Sequence, residues 1–236
     1  MVINFVVPMV GNSSRFFKDG FSKPKYELML GEKSLFERVL NGLDKSTNEK
    51  KVFHFGVRND FSGRGFVEQS LESYDINFTV TEFDHVTSGQ ASTVHEILEN
   101  SAITENIYIF NIDTILVNYN LSKFVKCDGG LDLFEIEGDH WSFARVNNQG
   151  GVVETAEKKR ISNYASTGLY FFRTIDIYQE CFSSIENNNS DTERYVAPMY
   201  NSLIKQRGKV CSRRVQNNQI ILVGTPAEYQ RALKLF

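Results

Sequence analysis

Short continuous apolar runs alternate with helical spacing in the first half of the chain. Residues 2–8 form the first run, which is β-branched and ends at Pro8, so it predicts a fully buried strand. Similar runs predict further strands at residues 51–57, 78–80 and 106–112. Helical spacing predicts helices at residues 34–43, 63–73 and 92–100. Ser34 and Glu37 form a capping-box pattern at the first of these helices. This alternation predicts a mostly parallel sheet flanked by helices.

The second half of the chain is less regular. Strand-like segments separated by turns occur at residues 131–135, 141–146, 152–157 and 165–172. They predict antiparallel additions to the same sheet. Later elements are predicted as a helix at 191–207, strands at 210–215 and 220–223, and a closing helix at 226–235 with Pro226 in its first turn. The whole pattern predicts a single-domain α/β fold over residues 1–236, with a mixed, mostly parallel central sheet.

Composition and charge narrow the class of protein. The chain has 236 residues, of which 41% are hydrophobic, as in ordinary globular proteins. A net charge of -3 argues against a nucleic acid or an anionic membrane as a partner. The N-terminal apolar run is too short for a membrane span and has no basic residues before it. We therefore expect a cytoplasmic protein.

The cysteines and histidines show no metal-binding pattern. Cys127, Cys181 and Cys211 lie far apart, are odd in number and have no CxxC spacing, so we expect free, mostly buried thiols. The four histidines lack ligand spacing, and we expect structural roles for them. Trp141 is expected in the core.

A polar loop directly after the first strand is the first candidate for chemistry. Gly11 lets a phosphate approach the backbone, the N–H groups of Asn12, Ser13 and Ser14 can cradle it, and Arg15 adds a fork of donors. The loop is neither a Walker A motif nor a dinucleotide fingerprint. Taken alone, it is most often just a turn.

A lysine-proline-lysine turn follows at residues 23–25. Pro24 fixes the backbone between two cations, so that Lys25 can be aimed at one point. Two solvated lysines are the ordinary alternative. The loop and the turn follow one buried strand in this order, and this arrangement favours a functional interpretation of both.

Two later segments suit a nucleotide and a cation. Gly89 permits close approach at the start of a helix, Gln90 offers a donor and an acceptor to a base edge, and Ser92 follows. In isolation this segment is an ordinary helix start. Asp113 ends a buried strand, where ligands bind in α/β sheets and a carboxylate can hold Mg²⁺, although such an aspartate often only caps a turn.

These motifs together resemble a known enzyme family. The segment VVPMVGNSSRFFKDGFSKPKYELMLGEKSLFERVL is similar to the opening of the sugar-phosphate nucleotidyltransferases, also called nucleoside-diphosphate-sugar pyrophosphorylases. The resemblance runs along nearly the whole chain and is strongest to short members encoded with capsule and surface-polysaccharide genes, some of which are cytidylyltransferases. It implies a nucleotide-diphospho-sugar transferase fold, similar to that of type A glycosyltransferases. Val10 departs mildly from the usual alanine.

The resemblance also implies roles for the candidate residues. Residues 11–15 would wrap a nucleoside triphosphate, with Arg15 and Lys25 neutralising charge during attack on the α-phosphate, and residues 89–92 would read the nucleobase. Asp113 would hold Mg²⁺. A phosphorylated small-molecule acceptor would meet Glu157, Lys158 and Gly168, although a charge cluster such as 157–159 is usually a solvated face. Residues 1–125 would bind the triphosphate and residues 126–236 the acceptor.

One departure from the family pattern leaves the activity open. Many relatives carry an aspartate shortly before the Gly224-Thr225-Pro226 sequence, where this chain has Leu222 and Val223. One carboxylate suffices, or an acid such as Asp191 or Glu193 compensates, or catalysis is impaired.

Two rival functions therefore remain. The first is a glycosyltransferase that uses Asn111-x-Asp113 on a nucleotide sugar, and the second is a non-catalytic nucleotide-binding module. The Phe16-Phe17 and Phe171-Phe172 pairs are candidates for a homodimer contact.

Overall fold

The structure, a computed structural model, describes residues 2–103, 105–186 and 193–236. Its strands in chain order are β1 Val2–Pro8, β2 Met29–Leu30, β3 Lys33–Ser34, β4 Lys50–Arg58, β5 Asn77–Phe83, β6 Ile107–Phe110, β7 Thr114–Leu116, β8 Gly129–Glu135, β9 Ser142–Val146, β10 Val152–Glu157, β11 Tyr164–Phe172, β12 Val210–Arg214 and β13 Ile220–Leu222. Its helices are α1 Ser14–Lys18, α2 Leu35–Lys45, α3 Gly63–Leu71, α4 Gln90–Glu99, α5 Ile175–Glu186, α6 Tyr200–Lys205 and α7 Pro226–Ala232.

One large sheet runs through the described part of the chain. Its order is β10-β9-β11-β6-β1-β4-β5, and β8 pairs with both β11 and β12. The β1–β4, β1–β6 and β4–β5 pairs are parallel, whereas β11 pairs antiparallel with β6, β8 and β9. The predicted α/β sheet, with a parallel first half and antiparallel additions, is confirmed.

Both faces of this sheet are covered, which explains the continuous apolar strands. In β1, Phe5 packs in one hydrophobic cluster with α2 and α3, whereas Val6 packs in a second cluster with α4 and α5. Strands buried on both faces need apolar residues at every position rather than at alternate ones. The predicted capping box of α2 is present, since Glu37 accepts from the Ser34 backbone and Ser34 Oγ accepts from Glu37.

The structure differs from the predicted local structure in three places. The chain from 191 to 207 is not one helix: residues 187–192 lie outside the described residues, and a 3₁₀ turn at Ala197–Met199 precedes the short α6. Pro198 lacks an amide hydrogen and restricts the residue before it, which breaks the helical pattern. Helix α5 was not predicted. The strand predicted at 106–112 is present as the shorter β6, but the separate strand β7, which pairs with β13, was not predicted.

The expectation of free thiols was wrong for two of the three cysteines. Cys127 and Cys211 form a disulfide with their Cα atoms 6.0 Å apart, whereas Cys181 is free and buried. The cause is topological. Cys127 lies just before β8, and β12, which carries Cys211, pairs alongside β8, so residues distant in sequence become neighbours.

Three of the four phenylalanines suggested as dimer contacts are buried in the structure. Phe16, Phe171 and Phe172 are each at most 5% exposed and belong to the chain's own core. They are therefore unavailable as a dimer surface. None of the helices in the described ranges combines the length and the apolar content that a membrane span requires.

A buried aspartate anchors the second half of the sheet. Asp132 in β8 is fully buried and accepts hydrogen bonds from the Tyr119 hydroxyl, from Ser122 Oγ at 2.7 Å and from Arg213 at 2.9 Å. Burial raises the pKa of Asp132, although Arg213 and the two hydroxyls oppose that shift. This cluster ties β8 to β12 and to the segment before β8.

A buried histidine in β4 should make the stability of the fold depend on pH. His54 lies between Asn4 Oδ1 at 3.3 Å and Thr79 Oγ1 at 2.8 Å, and burial lowers its pKa to about 4. An unfolded histidine titrates near pH 6.5, so below that pH the unfolded state takes up a proton that the folded state does not. We expect the free energy of unfolding to fall by up to about 3 kcal/mol as the pH drops from about 6.5 to about 4.

Urea unfolding of wild type and His54→Gln at pH 7, 5.5 and 4.5 checks this expectation. The glutamine does not titrate, so the variant should lose less stability across the window than wild type does. Equal losses in the two proteins would show that His54 is not the source.

Candidate active site

Two adjoining cavities form one cleft at the carboxyl ends of β1 and β6. The cavities have volumes of about 170 and 300 Å³, and both are lined by Arg15, Asp113 and Gly224. The larger cavity, called here the loop cavity, is also lined by residues of the polar loop and by Lys25. The smaller one, called here the strand cavity, is also lined by residues of β9, β10 and β11. Ligands of open α/β sheets bind at this edge of the sheet.

The polar loop after β1 borders the loop cavity. Gly11, Ser13 and Ser14 line it, and Ser13 adopts a left-handed backbone conformation with φ 49°. The Ser13 carbonyl accepts from the amides of Phe16 at 2.9 Å and of Phe17 at 3.1 Å, which starts α1. Asn12 is not among the lining residues, because its Oδ1 accepts from Arg58 at 2.6 Å.

The two lysines of the lysine-proline-lysine turn have different environments. The Lys25 amide donates to Ser13 Oγ at 3.1 Å, and its Nζ donates to Asp113 Oδ2 at 2.6 Å. Lys23 has a side chain that is 65% exposed and lies 3.8 Å from Glu27. Lys25 is therefore the lysine that reaches the cleft.

Asp113 is held at the junction of the two cavities by backbone contacts on both sides. The Asn111 amide donates to the Gly168 carbonyl at 3.1 Å, and the Val223 amide donates to the Asp113 carbonyl at 2.8 Å. In proteins, Mg²⁺ usually takes one or two carboxylates together with water and substrate phosphates. The Asp113 carboxylate, which shares the loop cavity with the polar loop, fits that donor set. Nowhere in the described residues do three or more histidine, cysteine or acidic side chains form a complete metal cage.

A hydrogen-bonded chain lines the strand cavity. The Tyr170 hydroxyl donates to Ser142 Oγ at 3.2 Å, and Ser142 donates in turn to Glu157 Oε2. Burial raises the pKa of Glu157 and outweighs the opposing effect of the Ser142 hydrogen bond. Burial also raises the pKa of Tyr170 to about 12. Glu157 thus presents a half-buried carboxylate to the cavity.

Gly168 opens the same cavity. Its φ is +91°, and a β-carbon there would stand 2.8 Å from Cβ and Cγ of Asn111. A side chain at this position would collide with Asn111 or displace it. Lys158, by contrast, is not among the lining residues. Its Nζ donates to the Tyr195 hydroxyl and lies 3.6 Å from Glu193, so its role at an acceptor phosphate stays a prediction.

The segment expected to read the nucleobase contacts the chain itself. A β-carbon on Gly89 would stand 2.5 Å from the Arg194 carbonyl oxygen, so the close approach that Gly89 permits is to this backbone. Gln90 donates to Asn111 Oδ1, and Ser92 is buried with its Oγ 2.7 Å from Ser88 Oγ. Base recognition by this segment stays a prediction.

Of the two acids suggested as replacements for the absent aspartate, only Glu193 lies among the described residues. Asp191 lies outside the described residues. Glu193 lines the loop cavity, but it accepts from the Tyr195 hydroxyl and lies beside Lys158.

Several cleft residues were missed by the sequence reasoning. His140 and Trp141 line the strand cavity, with their rings 4.8 Å apart, although Trp141 was expected in the core. Trp141 does pack edge-on against Phe134 at 5.9 Å, so its ring serves both the core and the cavity. Glu228 in α7 also lines this cavity and is only 7% exposed. Its position after Gly224-Thr225-Pro226 was the available signal.

Comparisons with known proteins agree with this architecture. Neither the protein-family models nor the curated proteins gave a match. Among solved structures, the nucleoside-diphosphate-sugar pyrophosphorylase from Vibrio cholerae RC9 matches with a TM-score of 0.88 and 33% identity, over 99% of this chain and 100% of that one. The inositol-1-phosphate CTP transferase from T. maritima matches at 16% identity with a TM-score of 0.77, over 98% of this chain and 94% of that one. A UDP-glucose pyrophosphorylase complexed with UDP-glucose matches at 15% identity with a TM-score of 0.76, over 100% of this chain and 98% of that one.

The mixed α/β fold with its mostly parallel central sheet matches the folds of nucleotidyltransferases. The close, full-length match at 33% identity gives the more specific assignment. This chain belongs to the family of nucleoside-diphosphate-sugar pyrophosphorylases.

Proposed function

We propose that this protein joins a nucleoside triphosphate to a sugar phosphate, or to a similar phosphorylated small molecule, with release of pyrophosphate. The observation that carries this proposal is that the loop cavity and the strand cavity share Arg15 and Asp113. A triphosphate on the loop and an acceptor against β10 and β11 would therefore meet at these two residues. The product would serve as a precursor of capsule or surface polysaccharide.

In this proposal, the two halves of the chain bind different substrates. The loop cavity is lined mainly by residues before 125, with Glu193 and Gly224 as the exceptions. The strand cavity draws most of its lining from residues after 126, including Glu157 and Gly168. This supports triphosphate binding by residues 1–125 and acceptor binding by residues 126–236.

In the proposed reaction, an oxygen of the acceptor phosphate attacks the α-phosphorus of the triphosphate. A new phosphorus–oxygen bond forms, the bond between the α-phosphorus and the bridging oxygen breaks, and pyrophosphate leaves with the electron pair. Arg15 and Lys25 would stabilise the negative charge that builds on the phosphoryl oxygens. Such chemistry needs positioning and charge stabilisation rather than a covalent nucleophile.

Asp113 would hold the Mg²⁺ that accompanies the triphosphate. When bound, the ion would neutralise phosphate charge and orient the leaving group. Lys25 pairs with the same Oδ2 of Asp113, so the lysine is placed to move to the triphosphate when that carboxylate acquires another partner.

The experiment that tests this function is pyrophosphate release with Mg²⁺. It crosses CTP, UTP, dTTP, GTP and ATP with hexose 1-phosphates, phosphorylated polyols and phosphocholine. Acceptor-dependent release with one triphosphate establishes the reaction and names both substrates. Triphosphate binding without turnover across the panel would favour a non-catalytic binding module.

Glu157 should set the affinity for the acceptor. Its half-buried carboxylate can accept from hydroxyl or amino groups, and losing a hydrogen bond to a charged group costs about 1.5–3 kcal/mol. We expect Glu157→Gln to raise the KM for the acceptor by about 10-fold or more while the KM for the triphosphate changes little. Steady-state kinetics with each substrate varied in turn measures both constants.

The pH dependence gives a second readout for Glu157. Because burial raises its pKa, the carboxylate gains a proton at a higher pH than an ordinary glutamate does. The wild-type KM for the acceptor should therefore rise as the pH falls through that value, and the variant should lack this rise. Glu154→Gln, in the same strand but paired with Arg145 at 2.6 Å, is the control and should behave as wild type. An unchanged acceptor KM in Glu157→Gln would contradict the assignment.

A further inference from the structure

Glu228 is a largely buried residue whose carboxylate opens onto the strand cavity and has no protein partner among the described residues. The residue lies in the first turn of α7 and is 7% exposed, yet it lines the strand cavity. Its amide donates to Thr225 Oγ1 at 3.2 Å, but within the described ranges its carboxylate takes part in no hydrogen bond or ion pair. A buried acid normally needs a partner, because removing a charge from water is costly.

Comparison with α2 shows that this lack of a partner is specific. Both helices begin with the capping-box pattern, a hydroxyl residue followed three positions later by glutamate. In α2, Glu37 Oε2 completes the box by accepting from the Ser34 amide at 2.8 Å. In α7, Thr225 caps the helix in the same way, but Glu228 makes no such return bond. Its carboxylate is therefore directed elsewhere.

The Glu228 carboxylate lies near that of Asp113 instead. A β-carbon placed on Gly224 would stand 3.5 Å from Glu228 Oε2 and 3.2 Å from Asp113 Oδ2, so the two carboxylates flank the same space. Gly224 lines both cavities, and any side chain there would enter that space. Lys25 lies 2.6 Å from Asp113 Oδ2 and balances only one of the two negative charges.

We propose that Glu228 and Asp113 together ligate the divalent cation that accompanies the triphosphate. Two neighbouring carboxylates repel each other unless a cation lies between them. One or two carboxylates, completed by phosphate oxygens and water, are the donor set that Mg²⁺ takes in nucleotide sites. This inference rests on the proposed function. It supplies a second acid from α7 in place of an aspartate at Leu222 or Val223.

Binding of Mn²⁺ alone tests the proposal without requiring turnover. The loss of the free Mn²⁺ signal in electron paramagnetic resonance gives the dissociation constant for wild type, Glu228→Gln and Glu228→Asp. We expect Glu228→Gln to bind Mn²⁺ at least about 10-fold more weakly than wild type, as for other losses of metal-site partners. Glu228→Asp keeps the charge but shortens the side chain by one methylene, so it should also bind more weakly than wild type. Glu154→Gln is the control, because it also removes one carboxylate but pairs with Arg145 outside both cavities, and it should leave Mn²⁺ affinity within about twofold.

Several outcomes would overturn the proposal. These are wild-type protein that binds no Mn²⁺, Glu228 variants that bind it like wild type, or a Glu228→Gln variant that changes only the KM for the acceptor. Far-ultraviolet circular dichroism and the Tm of each variant establish that the comparison is between folded proteins. Pyrophosphate release by wild type is measured separately, so failure of the proposed function is distinguishable from failure of the metal assignment.

Discussion

Lys25→Ala should lower kcat for pyrophosphate release by on the order of 100- to 1,000-fold. The Nζ of Lys25 lies 2.6 Å from Asp113 Oδ2 at the junction of the two cavities, where charge would develop on the attacked phosphate. Removing a preorganised donor from such a position removes stabilisation that water replaces poorly. Single-turnover measurements of pyrophosphate release with saturating substrates report this loss directly.

Lys23→Ala is the matched control for that experiment. The two lysines flank Pro24, but the side chain of Lys23 is 65% exposed and lies 3.8 Å from Glu27 rather than in the cleft. We expect its kcat to stay within about twofold of wild type, as for surface charge changes in general. Full activity of a folded Lys25→Ala protein would remove Lys25 from the mechanism.

Asp132→Ala should destabilise the fold by about 2–4 kcal/mol, since it leaves two buried hydroxyl groups without their acceptor. Asp132 is fully buried, and its loss leaves the hydroxyls of Tyr119 and Ser122 without their acceptor. Arg213 would also lose this partner, but its side chain is 36% exposed and keeps access to water. Urea unfolding at pH 7 measures the free energy of unfolding of the variant against wild type.

An exposed aspartate provides the comparison for Asp132. Asp60 also pairs with an arginine, Arg58, but its side chain is 48% exposed. Asp60→Ala should cost at most about 1 kcal/mol, because the lost carboxylate is half exposed and Arg58 keeps its hydrogen bond to Asn12 Oδ1. If both variants lost the same small amount, the buried cluster would not contribute what its burial implies.

The sequence predicted the parts of the fold that depend on local pattern. The continuous run that became β1 and the capping box of α2 were predicted at the residues where they occur. Helix α5 has apolar side chains at Ile175, Tyr178 and Phe182, a helical spacing that was present in the sequence and was overlooked. That omission was an error of interpretation rather than a limit of the sequence.

Long-range features were less accessible. The disulfide depends on the pairing of β12 with β8, and nothing near Cys127 or Cys211 in sequence indicates that pairing. The pairing of β7 with β13 likewise joins residues about a hundred positions apart. Such contacts depend on the packing of the whole sheet. Local hydrophobic periodicity indicates the type of each element but not which elements pair.

In the candidate site, too, some residues were predictable from local motifs and others were not. The phosphate loop, Lys25 and Asp113 were proposed from motifs, and the structure brings Lys25 and Asp113 into contact. Trp141 and Glu228 were missed because each resembles an ordinary structural residue in sequence. Their place in the cleft follows only from how β9 and α7 pack around Gly224 and Asp113.

One wall of the cleft comes from a segment about 200 positions after the polar loop. The Val223 amide holds the Asp113 carbonyl, and the Tyr229 hydroxyl reaches back to the Met29 carbonyl at 2.8 Å. A nascent chain that has produced the polar loop and Lys25 therefore still lacks one wall of the cleft until Gly224 and Glu228 have been synthesised. A chain that stops before Gly224 and Glu228 would therefore lack part of the proposed cation site and would not consume triphosphate.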